Sequence, residues 1–114
     1  MSKPSIGAGN VSITLDGEEV TLRPTLRAAQ TISKQSGGIM SAVQAIGRFD
    51  LEVMTSVIAL GLNVTGPRDV NDVAEKVWST GMADLVEPVT RYLSILANGG
   101  RPVQQGGEGT SDPQ

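Results

Sequence analysis

The stretch Val11-Ser-Ile-Thr-Leu-Asp-Gly-Glu-Glu-Val-Thr-Leu-Arg-Pro-Thr25 decides how the chain folds. Val11, Ile13 and Leu15 alternate with polar residues, as do Val20 and Leu22, so the stretch holds two runs of period two. Asp16-Gly17 lies between them, a dipeptide suited to the positive φ angles of a two-residue type I′ turn. Closing the hairpin there pairs Ile13 with Val20 and Val11 with Leu22, placing four apolar side chains on one face. A slip of one residue would turn Val20 and Leu22 to solvent, so the register is specified. A two-stranded hairpin is marginal alone in water. It must therefore lie against the helices that follow.

Pro24 prevents further pairing, and Thr25 can cap a helix from Leu26 to about Gln35 that buries Leu26, Ala29 and Ile32 and stops at Gly37-Gly38. Ile39, Ala42, Val43 and Ile46 recur at helical spacing before Gly47. Asp50 caps a third helix running to about Leu62. Its polar strip is Glu52, Thr55 and Ser56, and its wider face is apolar, the pattern of a central helix touched on several sides. After a loop over Asn63–Arg68, Asp69 caps a fourth helix with Val70, Val73, Ala74 and Val77 in line and Asp72 placed to pair with Lys76. A fifth helix carries Leu85, Val89, Tyr92, Leu93 and Leu96 on one face. Pro88 is comfortable only in a first turn, so this helix should begin near Asp84 or later and end at Asn98-Gly99.

The expected fold is α+β: an N-terminal β-hairpin packed on a bundle of about five short α-helices. Residues 11–98 form the single domain. The arm 1–10 and the Gly/Gln-rich tail 99–114 are expected to be disordered, because they carry too little apolar surface to offset their ordering entropy.

Composition narrows the chemistry. The chain of 114 residues has no His and no Cys, which rules out Ser-His and Cys-His nucleophile systems and imidazole or thiolate zinc sites. Carboxylates are poorly placed for acid–base work. Glu18 and Glu19 are neighbours on a strand and point to opposite faces, while Asp50, Glu52, Asp69 and Asp72 lie at helix starts, where negative charge favours the dipole. Asp69-Val-Asn-Asp72 breaks the calcium-loop spacing at Val73, and Gly61-Leu-Asn-Val-Thr-Gly66 lacks the Lys and Ser/Thr of a phosphate loop. No enzyme activity, cofactor or metal is expected. The net charge of −3, with acids and bases interspersed, gives no reason to seek nucleic acid. A helix-turn-helix reading of the second and third helices also fails, because Asp50 and Glu52 at the start of the would-be recognition helix repel phosphates. The longest apolar run, Val57–Leu62, is far short of the ~20 residues that span a bilayer, so no membrane role is expected.

Apolar contact surface is what remains. Met40, Met54 and Met82 are flexible apolar side chains that could line an adaptable groove. The third and fifth helices have more apolar face than one neighbour covers, which makes Leu51, Met54, Ile58, Val89 and Leu93 the candidate partner-binding residues.

The order of parts, Thr14-Leu-Asp-Gly17, a short second strand, Thr21-Leu-Arg-Pro-Thr25 leading into a helix, then Gly37-Gly38 and aliphatic helices, resembles the small tail assembly chaperones of long-tailed bacteriophages. The likeness is to the branch shared with gene transfer agents and related prophages, and covers about Asn10 to Pro102. The chain departs from it in the spacer Asn63–Arg68 and in the Gly/Gln-rich tail. The resemblance implies a protein of the bacterial host's cytoplasm during particle assembly. It would coat the helical tape measure protein, help recruit tail tube subunits and be absent from the finished virion. A homo-oligomer is compatible with that role. Members of the branch are also labelled tail tube proteins, so the alternative is a structural tube or tube-end component of the virion.

Overall fold

A computed structural model describes residues 9–102. Strands β1 (Val11–Leu15) and β2 (Glu18–Leu22) form an antiparallel pair in which Val11 faces Leu22, Ile13 faces Val20 and Leu15 faces Glu18. Asp16 and Gly17 take φ of 52° and 84°, as the type I′ turn requires. Val11, Ile13, Leu15 and Leu22 are buried. Val20, expected among them, is only half-buried, because its end of β2 borders an open cleft.

Five helices follow: α1 (Leu26–Ser36), α2 (Ile39–Gly47), α3 (Leu51–Gly61), α4 (Pro67–Thr80) and α5 (Met82–Ala97). The hydroxyl of Thr25 accepts the Ala28 amide at 3.0 Å and the carboxylate of Asp50 accepts the Val53 amide at 3.1 Å, so the expected caps of α1 and α3 are present. Helix α3 touches α1, α2, α4, α5 and β2, and is the central element its composition suggests. β1 packs on α4 and α5.

Several local expectations are corrected. Leu26 is 73% exposed; the buried stripe of α1 runs through Ala28 and Ile32, turned well round the helix from Leu26. Helix α4 begins at Pro67 with Gly66 as its cap residue, so Asp69 lies inside the first turn instead of capping it. Proline's fixed φ and missing donor suit that first position. Lys76 lies 4.0 Å from Glu18 rather than pairing with Asp72, and both partners of this contact are exposed, so it contributes little. Helix α5 runs from Met82 straight through Pro88. The carbonyl that Pro88 leaves without a donor belongs to exposed Asp84, where water can serve it, and burial of Leu85 and Val89 holds the early turns in place. Thr55, assigned to the polar strip of α3, is buried, and its hydroxyl has no partner among the described residues.

Tyr92 ties the two ends of the fold together. Its ring is fully buried, and its hydroxyl donates to the carbonyl of Arg23 at 2.7 Å, fixing α5 to the end of the hairpin. Burial pushes its pKa from 10.0 up to about 12. The folded chain thus holds this proton more tightly than the unfolded one. The associated stability is intact below pH 10 and is lost as pH rises from there through about 12. We expect alkaline melts to show a loss of roughly 2 kcal/mol over that window. Tyr92→Phe should remove most of this dependence while weakening the fold by about 1 kcal/mol at neutral pH.

The backbone is tightest at two glycines. A Cβ on Gly61 would lie 2.9 Å from Cβ of Leu22, and the Gly61 carbonyl accepts the Arg23 amide at 2.9 Å. Gly9, at φ 86°, is buried against Gly100, where a Cβ would run into the Gly100 carbonyl; Gly100 in turn lies against Pro24. The packed unit therefore extends past 11–98 to include Gly9 and the turn at Gly99-Gly100. Residues 1–8 of the expected arm and 103–114 of the expected tail lie outside the described residues. No helix among the described residues is long and apolar enough to cross a membrane.

Candidate partner-binding surface

The five residues singled out from the sequence do not form an exposed patch. Met54 and Ile58 on α3 and Val89 and Leu93 on α5 are fully buried, and Leu51 is half-buried. The reason is the packing of α3: other helices and β2 surround it, so the apolar width that suggested a free face is consumed inside the domain. The stripe of α5 through Leu85, Val89, Tyr92, Leu93 and Leu96 is likewise turned inward.

The exposed large apolar side chains lie elsewhere. Leu26 opens α1, Met40 is in the first turn of α2, Phe49 occupies the turn between α2 and α3, and Trp78 is near the C-terminal end of α4. Trp78 is 72% exposed and Met40 68%. Of these, only Met40 belonged to the groove expected from the methionines; Met82 is half-buried. Leu26 was expected inside. A signal for Trp78 exists in the sequence: α4 buries Val73 and Val77, and the next residue lies about 100° further round the helix, off that stripe. Phe49 has a backbone cause. It takes a positive φ of 62° while its amide donates to Ile46 and the Asp50 amide to Ala45, which holds the ring outward on a tight turn.

Clefts follow the seam between α1 and α3, where Ile32 and Val57 lie beside Gln35, Glu52 and Ser56. Their mixed lining has no concentrated reactive chemistry. Among the described residues no group of three or more carboxylates is placed to hold a metal ion. Compared with known proteins, the chain matches no family model, no curated protein and no solved structure.

Proposed function

We propose that the chain is a non-enzymatic assembly chaperone of a phage-type tail, one that shields an apolar helical face of the tape measure protein while tube subunits are recruited. The observation that carries this reading is Trp78: the sole tryptophan of an aromatic-poor chain stands 72% exposed on a helix. Tryptophan is the residue most enriched among energetically dominant contacts of protein interfaces. Exposed Leu26, Met40 and Phe49 add large apolar side chains at other helix ends and turns. A long chain with bare apolar helical faces needs such a partner, and an amphipathic helix docking through its apolar side chains is a common recognition mode. The likeness of the hairpin and the Leu22-Arg-Pro-Thr25 step to tail assembly chaperones supplies the specific partner. In this reading the protein acts in the host cytoplasm and leaves before the particle is complete.

Co-expression with the tape measure protein tests it. The two should co-purify, and the partner should be more soluble with this chain than without. Trp78→Glu should weaken the complex at least about thirtyfold while leaving circular dichroism unchanged. A partner equally insoluble in both conditions overturns the proposal. So does mass spectrometry that finds the chain at stoichiometric levels in purified particles, which would favour a tube component.

A further inference from the structure

A second surface is available on the hairpin, and its chemistry differs from that around Trp78. Leu15 and Glu18 close the two-residue turn, so the mutually bonded pairs of the ladder are Leu15 with Glu18, Ile13 with Val20 and Val11 with Leu22. Glu19 and Thr21 therefore aim their amides and carbonyls away from β1, and neither makes a backbone bond outside the ladder among the described residues. Arg23, of the same parity, confirms the direction: its amide reaches outward to Gly61 at 2.9 Å. Unpaired strand edges of this kind are templates for an added strand.

Beside this edge lies a cleft of about 670 Å³ lined by Val20, Thr21, Arg23, Arg27, Leu60 and Asn63. Val20 and Leu60 are half-buried and give it an apolar floor. Arg23 and Arg27 give it positive charge. No carboxylate lines it, and neither arginine belongs to an ion pair among the described residues, although the chain as a whole is acidic.

We propose that this edge and cleft dock an extended, acidic segment of another protein. The segment pairs with β2 across Glu19–Thr21, rests alternate apolar side chains on Val20 and Leu60, and delivers carboxylates to Arg23 and Arg27. The paired stretch is short because α3 closes the edge at Arg23, whose amide is taken by Gly61 and whose carbonyl accepts from Tyr92. The incoming chain leaves the edge there, beside both guanidinium groups, where bidentate carboxylate contacts are strongest. Glu19 at the other end sets the polarity, since an acid opposite it would be repelled. A second copy of the chain fits less well. The antiparallel register that matches Glu19 with Arg23 would need backbone groups of Arg23 that are already bonded. The proposal is independent of the tape measure reading, and its test uses no tail protein.

The probe is a fluorescein-labelled, amidated peptide of alternating valine and threonine ending in two aspartates, titrated with the full chain by fluorescence anisotropy. Saturable binding is expected, weakened about tenfold when the aspartates are replaced by lysines or when Arg27→Glu is introduced. Thr21→Pro should weaken it similarly, since proline is tolerated on an open edge and the lost amide is not used by the ladder. N-methylation of the peptide at alternate residues gives the same readout without altering the protein. Equal binding of the aspartate and lysine peptides, insensitivity to N-methylation, or no binding up to about 1 mM overturns the proposal. So does a dimer in sedimentation that Arg27→Glu dissociates, which would assign the edge to a second copy.

Discussion

Met54→Asp and Leu93→Asp are each expected to unfold the domain. Both side chains are fully buried, Met54 on the central helix and Leu93 on α5. Neither faces an ion pair among the described residues, which are Lys76 with Glu18 and Arg91 with Glu87 at the surface. A carboxylate there would have to remain charged without a partner or take up a proton in an apolar site; either costs several kcal/mol, on top of the lost packing. A domain of this size has only about 5–15 kcal/mol to lose. Circular dichroism should show lost helicity or a sharply lowered melting temperature, whereas Met54→Leu, which nearly conserves volume, should cost less than about 1.5 kcal/mol. Trp78→Glu is the contrasting case, because its side chain is already in water and its effect should be confined to binding. A Met54→Asp protein that still melts cooperatively at the wild-type temperature would show that α3 is not the centre of the core.

Gly61→Val should be nearly as damaging, for a reason of space alone. An added Cβ would meet Leu22 at its Cβ at 2.9 Å, at Cδ2 at 3.0 Å and at Cα at 3.3 Å. Leu22 cannot retreat. It is fully buried, paired with Val11, and followed by Arg23, whose amide is bonded to Gly61 itself. Alanine at this position should cost about 1–3 kcal/mol, and valine more, as the hairpin is pushed off α3. Gly47 supplies the control. It ends α2, and an added Cβ there meets nothing within 4 Å, so Gly47→Ala should be neutral or stabilising by roughly 0.5 kcal/mol. Chemical denaturation of the set reads the difference. Equal stability for the alanine variants of Gly61 and Gly47 would mean that the close approach of α3 to β2 is absent.

What could be read from the sequence was whatever is decided within a few residues. The Asp16-Gly17 turn and its register, the caps at Thr25 and Asp50 and the stop at Gly37 depend on local backbone chemistry, and each is present. Features set by neighbours distant in sequence were harder. The first turns of α5 continue through Pro88 because Leu85 and Val89 are gripped by the core, which outweighs a local penalty. Thr55 is polar but faces inward, and only tertiary packing tells it from Ser56. Leu26 looked buried from its hydrophobicity, yet the stripe of α1 is set by Ala28 and Ile32. The candidate surface depends on the same distant neighbours. An apolar residue on a wide helical face looks identical in sequence whether that face meets another helix or water, so Met54, Ile58, Val89 and Leu93 could not be separated from Trp78 without knowing which elements surround α3 and α5.

The buried contact of Gly9 with Gly100 has a topological consequence. Where the described chain comes in and where it goes out are neighbours in space, so a short linker bridging them would span almost no distance. A circular permutant joined there and reopened between Asn63 and Thr65, in the connection from α3 to α4, keeps every helix and strand whole. By the same geometry, the unit can be carried as an insertion inside a longer polypeptide without forcing apart the segments on either side.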